Sequence, residues 1–307
     1  MRQDYPHYKI RRRRCWTFLA RLLVLVLLFL APQDARATSR ALIVGISNYD
    51  RMTTGWSTIH GANDVDLLLP RLKKNGFTNI ATLTDRKATK KNIVGALQSL
   101  ARRSRPGDKV YFHFSGHGQP VRDDNGDEGK GKGFDESIVP YDACRDNLKL
   151  NGTYNGQNHL IDDELSLLLD DIKKKLGPEG ELMVVVDACY SRGIQKDETT
   201  DDDPELMRYM RGTDMPFMPR GTISTPYPKN FTPGARMYVI TACDSNERNI
   251  EYRSPTGKIY GSLSYYIYTL LKTDADFTRW SDCFRDKKYL NTGIFQSSQH
   301  PSVKVFD

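Results

Sequence analysis

The sequence predicts an α/β protein with a mostly parallel central sheet and helices on both of its faces. Three observations carry this. Beyond residue 37, short apolar runs rich in β-branched residues alternate with amphipathic stretches of helical period, the order of βαβ units. Two of those runs, KVYFHFSGHG at 109–118 and ELMVVVDACYS at 181–191, stop abruptly and present His117 and Cys189. Ligands of open α/β sheets bind at the carboxyl ends of strands, so both side chains fall where chemistry is expected.

The elements follow in order. Residues 1–37 have a basic start with Arg11, Arg12, Arg13 and Arg14 in a row. A leucine-rich run over 17–31 and a small-residue pattern, Ala35-x-Ala37, come next. That is the tripartite order of a secretory signal peptide, and Arg13-Arg14 hints at twin-arginine export. The apolar run is broken by Arg21 and is short for a membrane span, which needs about 20 residues. An uncleaved anchor is the alternative, and it is the one expected route to a membrane. An exported protein, periplasmic or secreted, is therefore expected, with residues 38–307 forming a single domain. Residues 1–37 hold eight Lys or Arg against two acids, so they carry +6 of the total +7 and leave +1. The high pI is no argument for nucleic-acid binding.

Residues 41–46 read as a buried strand and 62–75 as a helix through Val65, Leu68, Leu69 and Leu72, with Pro70 as a possible break. A strand is expected at 79–83. Thr89 caps a helix to Arg103, and Pro106-Gly107-Asp108 turns the chain into the His117 strand. Asp162 opens a helix with acids first and lysines last, as the macrodipole prefers, and Gly177-Pro178 stops it before the Cys189 strand. A strand at 236–242 and a last long helix at 261–272 complete the pattern. Two polar stretches interrupt it, 121–133 and 196–233; the second is expected to be a mobile loop. There is no internal repeat.

Gly116 and Gly118 leave the backbone beside His117 bare. His113, four residues earlier, shares a strand face with it but lies about 13 Å away, too far to share a metal, so it reads as a packed strand residue. A thiol becomes a nucleophile beside a base or cation, and His117 is the natural partner of Cys189. Backbone N–H groups of Gly118 and Cys189 are candidate oxyanion donors. Cys144, Cys243 and Cys283 are the other cysteines after the leader. If Cys189 stays a thiol, at most one disulfide forms among these three.

With these residues in place, the chain resembles the caspase-like cysteine peptidases, in the metacaspase-like branch of bacterial type. His117 stands in a Ser-Gly-His-Gly segment (115–118) and Cys189 in an Asp-x-Cys-x-Ser-Gly segment (187–193, with Arg192 inserted before Gly193). The resemblance implies a caspase-like three-layer sandwich, a Cys-His dyad, protein or peptide substrates, no organic cofactor and cleavage after Arg or Lys. A basic side chain wants a carboxylate in its pocket. Asp187 is matched to that role, with Asp64 and Ser115 as pocket partners; capping of a nearby helix is the other reading of Asp64. Calcium-activated relatives imply a cation site, matched here by Asp135, Asp162, Asp163 and Asp197, while solvated acids and a helix cap at Asp162 explain them equally. Asp123, Asn125 and Asp127 are not an EF-hand loop, because Glu128 stands where its glycine belongs. The sequence departs from the family at Tyr190, where a histidine is usual, and at the extra Arg192. The rival to an enzyme is a catalytically silent binding or scaffold module of the same fold.

The leader generates the first prediction. Protein recovered from the native envelope should begin at or near Thr38 by N-terminal sequencing; an intact Met1 in the membrane fraction would support the anchor instead.

Overall fold

The computed structural model of the protein describes residues 1, 3, 37–123, 133–189, 215–220, 231–244 and 247–307. The chain divides into two units, Met1–Arg36 and Ala37–Asp307. The leader lies almost wholly outside the described residues. Among the described residues no helix is long and apolar enough to cross a membrane.

In chain order the strands are β1 Ser39–Gly45, β2 Phe77–Thr84, β3 Lys109–Ser115, β4 Gly118–Arg122, β5 Phe134–Ile138, β6 Leu160–Ile161, β7 Glu181–Asp187, β8 Arg236–Thr241, β9 Glu251–Arg253, β10 Ile259–Gly261 and β11 Ser302–Phe306. The main helices are α1 Gly61–Lys74, α2 Lys90–Arg103, α3 Asp162–Leu176, α4 Ser262–Leu270 and α5 Phe277–Arg285. The central sheet has the order β11-β8-β7-β3-β1-β2. All its pairings are parallel except β11 with β8.

Side chains alternate across this sheet, and the two faces build two cores. Leu42, Val44, Val110, Phe112, Phe114, Val184 and Val186 face α2 and α3. Ala41, Ile43, Tyr111, Met183 and Val185 face α1, α4 and α5. The expected three-layer α/β architecture is thus present. Thr89 caps α2 by accepting from the amide of Asn92 at 3.3 Å. Helix α1 runs straight through Pro70. Pro70 and Asp66, whose carbonyl loses its partner there, are both exposed, so water can replace the missing bond.

The C-terminal region corrects the sequence expectation. The helix expected at 261–272 is the shorter Ser262–Leu270, and it is not the last. Asp276 caps α5 through the amide of Arg279 at 2.9 Å, and Phe277, Trp280 and Phe284 fill one core. β11 then adds an antiparallel edge.

Within the loop expected to be mobile over 196–233, the described stretches are docked. The Phe217 amide donates to Pro120 O (2.8 Å) and Phe217 O accepts from Arg122 N (3.0 Å), so this segment lines β4 like a short extra strand. The Phe217 ring is buried against Tyr154 and His159. Thr232 Oγ1 and N both bind the Asp170 carboxylate, at 2.6 and 2.8 Å, pinning the far end of the loop to α3.

His159 makes this corner pH-sensitive. Its Nδ1 meets Tyr154 OH at 2.9 Å and its Nε2 meets Gln119 Oε1 at 2.8 Å. Burial first, and then the charge of Lys90, depress its pKa to about 3. The unfolded chain takes up this proton near pH 6.5, whereas the native protein does so only near 3. The stability it contributes is therefore complete above pH 6.5 and is lost as pH falls toward 3. His159→Gln, which can keep both hydrogen bonds, should flatten the fall in denaturation midpoint between pH 6.5 and 4; a slope unchanged from wild type would contradict the assignment.

Candidate functional site

β3 and β7 are parallel neighbours in a register that sets Ser115 opposite Asp187. Both strands end there, and the amide of Gly116 donates to Asp187 O at 3.2 Å. His117 and Cys189 therefore each lie two residues past the end of adjacent strands. The backbones beyond the strands remain in contact: a methyl group built on Gly118 would collide with the Cys189 carbonyl. This is the physical requirement for glycine after the histidine.

His117 is held by residues that sequence reasoning passed over. Its amide donates to Tyr49 OH (3.1 Å), which in turn donates to Val139 O (2.8 Å). Its ring stacks on Trp56 at 4.8 Å and packs on Tyr49 at 4.9 Å. The Nε2 atom lies 2.9 Å from Ser57 O. A carbonyl only accepts, so the neutral ring carries its hydrogen on Nε2, and Nδ1 is the basic nitrogen. The segment between β1 and α1 supplies all three partners. Its signal in the sequence is a pair of aromatic residues just past a strand's carboxyl end.

His113 points elsewhere. The expectation that it shares a face with His117 fails, because β3 stops at Ser115 and the chain turns. Its side chain lies on the α4 side, packed as expected, between Tyr111 OH (2.7 Å) and Ser264 Oγ (3.0 Å). Burial, reinforced by Asp187 and Asp64, keeps the Tyr111 phenol protonated, so it donates to His113 Nδ1.

Cys189 was expected at an exposed strand end. It is at the strand end but fully buried. Its Sγ accepts from the backbone amide of Asn249 at 3.2 Å and faces Asn249 O at 3.8 Å. The strand positions the thiol as expected; the loop after β8 covers it.

Odd-numbered residues of β3 and β7 face α1 and α4, which brings Ser115, Asp187 and Asp64 together. Asp64 does not cap its own helix. Its carboxylate accepts from Ser115 Oγ at 2.5 Å and from Gly261 N at 3.0 Å. Asp187 accepts from Asn249 Nδ2 (2.7 Å), Ser264 N (2.7 Å) and Ser264 Oγ (2.6 Å). The two carboxylates flank Gly261, where a built methyl group would meet an oxygen of each. Asp64, Ser115 and Asp187 are all fully buried. Like charges in such a place need compensation; the donors supply it together with the amino end of α4.

The proposed cation ligands are only partly gathered. Asp162 Oδ1 accepts from the amide of Glu136, the neighbour of Asp135, at 3.1 Å. Asp135 and Asp163 are buried. Asp197 lies outside the described residues, as do Tyr190 and Arg192. Among the described residues no three His, Cys, Asp or Glu side chains gather as a metal site. Cys144, Cys189, Cys243 and Cys283 are all buried free thiols, so no disulfide joins them. Burial lifts the Cys144 thiol to a pKa of about 11, which keeps it protonated.

Residues 39–196 match the family described as metacaspase, peptidase C14 domain. Metacaspase-2 of Arabidopsis thaliana is 28% identical over 241 residues, covering 76% of this chain and 52% of the relative. Metacaspase-3 of the same plant is 28% identical over 240 residues, covering 76% and 59%. Metacaspase-1 of Meyerozyma guilliermondii is 27% identical over 197 residues, covering 56% and 44%. The chain thus spans about half the length of the curated relatives it matches. A protein from Geobacter sulfurreducens, known from a crystal structure, shares the fold with a TM-score of 0.55 at 17% identity, over 87% of this chain and 93% of that one.

Gly261 offers a test of this packing. Gly261→Ala should lower stability by about 1–3 kcal/mol in chemical denaturation, the usual cost of overpacking, because the added methyl displaces both carboxylates. A change below about 0.5 kcal/mol would mean that the carboxylates are not held against this backbone.

Proposed function

The chain belongs to the metacaspase family of C14 peptidases, and from that premise we propose that it is a cysteine endopeptidase that cleaves after Arg or Lys. One observation carries this furthest. Two buried carboxyl groups, Asp64 and Asp187, converge on Gly261, and Asp187 lies two residues before the Cys189 thiol at the strand edge that also carries His117. A guanidinium or ammonium group entering beside them would exchange its hydration for charge-assisted hydrogen bonds.

Chemistry follows from the positions. Cys189 Sγ attacks the scissile carbonyl while His117 Nδ1 takes the thiol proton. Backbone amides of Gly118 and Cys189 stabilise the oxyanion. The imidazolium then gives its proton to the leaving amine, and water hydrolyses the thioester, with the same nitrogen now acting as base. Tyr49, Trp56 and Ser57 position the ring. Calcium activation through Asp135, Asp162, Asp163 and Asp197 is part of the proposal, as is export behind the leader; no chemical step runs through the metal. A silent binding module draws its support from the burial of Cys189.

Cys189→Ala and His117→Ala should each abolish cleavage of an Arg-containing peptide library while leaving the fold intact. Asp187→Asn should lower kcat/KM for Arg substrates by about 100-fold or more, since breaking a buried ion pair costs roughly 3–5 kcal/mol. Retained activity in folded Cys189→Ala protein, or preferred cleavage after Asp, would overturn the proposal. Equal activity in calcium and EDTA would remove the calcium component alone.

A further inference from the structure

Asn249 stands between the two halves of the site and belongs to none of the recognised motifs. Its backbone amide and carbonyl bracket the Cys189 sulfur, at 3.2 and 3.8 Å. Its side-chain amide donates to Asp187 Oδ1 at 2.7 Å. The side-chain carbonyl is held from behind by Gln299 Nε2 at 2.8 Å, and Gln299 also binds Ala242 O at 3.0 Å. Asn249, Gln299, Cys189 and Asp187 are all essentially inaccessible to water. One residue thus ties the thiol to the carboxylate and closes over both.

The two attachments respond differently to a basic ligand. The bracket on sulfur is made by main chain and has no preference for substrate. The bond to Asp187 is a neutral amide donating to a carboxylate. A guanidinium reaching the same oxygen carries a full charge and a forked set of donors, and would displace the amide. The gate requires that displacing the Asn249 side chain, clamped from behind by Gln299, is transmitted to its own backbone and so loosens the bracket on the sulfur.

We propose that Asn249 is a positioning residue that couples occupancy of the Asp187 pocket to exposure of the Cys189 thiol, so that a basic side chain releases the nucleophile that will attack beside it. This rests on the pocket assignment above and adds a gate to it. In the resting protein the thiol is shielded from solutes that carry no basic group. Specificity then has two sources: binding of the cation, and the unlocking that only the cation produces.

Ethylguanidine, a mimic of the arginine side chain, provides the test on the full chain, with neutral ethylurea as control. Alkylation of Cys189 by iodoacetamide, mapped by mass spectrometry, should accelerate at least threefold with saturating ethylguanidine and not with ethylurea. In Asn249→Ala the basal rate should rise severalfold and lose its response to ethylguanidine. Gln299→Met loosens the same amide from behind and should show a smaller rise, which keeps the test available if Asn249→Ala fails to fold. Unchanged or slower labelling of wild type with ethylguanidine, or a full response in Asn249→Ala, would overturn the coupling. Ligand-observed NMR with the Cys189→Ala protein separates the two levels. Binding without acceleration removes the gate and leaves the pocket; no binding removes the pocket and the gate with it.

Discussion

The parallel pairing of β3 with β7 is the constraint from which the site follows. Setting Ser115 opposite Asp187 determines more than which strands are neighbours. It places two chain ends at one sheet edge and gives both strands the same alternation. Ser115 and Asp187 then face α1 and α4, where they meet Asp64 and Ser264. A slip of one residue would send Asp187 to the opposite face, among the apolar contacts of α2 and α3. The apolar runs that build the two cores therefore also determine where the carboxylates emerge.

Burying those carboxylates is costly, and the surrounding groups show how the cost is met. Asp187 receives three hydrogen bonds and Asp64 receives donors from Ser115 and Gly261. The chain from Tyr111 through His113 to Ser264 orders those donors: the Ser264 proton goes to Asp187, so the hydroxyl accepts from His113. Each hydrogen bond to a charged group is worth about 1.5–3 kcal/mol, against a desolvation penalty of several kcal/mol per ion. These donors offset part of the penalty of setting two carboxyl groups on either side of Gly261. Under the proposed specificity, a cationic side chain would add to the compensation that these carboxyl groups take here from neutral donors.

Much of this was legible in the sequence. Alternating strands and helices, the strand ends at His117 and Cys189, and the Thr89 cap all follow from local pattern. What escaped depended on long-range contacts. Tyr49, Trp56 and Ser57 support His117 from about 60 residues away, and no local period marks them. Asn249 sits in an irregular loop after β8, and only the fold reveals its hold on both Cys189 and Asp187. α5 was not expected, although its Phe277, Trp280 and Phe284 stripe follows within five residues of the end of the expected last helix at 272. Cys189 was expected to be exposed because strand ends usually are; a covering loop is a tertiary fact.

The most direct measurement is covalent. Two short peptides bearing a chloromethyl ketone warhead, one ending in Arg and one in Asp, are incubated with the intact protein at neutral pH, and the adducts are mapped by mass spectrometry. A thiol beside a double-carboxylate pocket predicts a single adduct on Cys189 from the Arg peptide, forming at least 100-fold faster than from the Asp peptide. Equal rates for the two peptides, or labelling that favours Cys144, Cys243 or Cys283, would contradict the account.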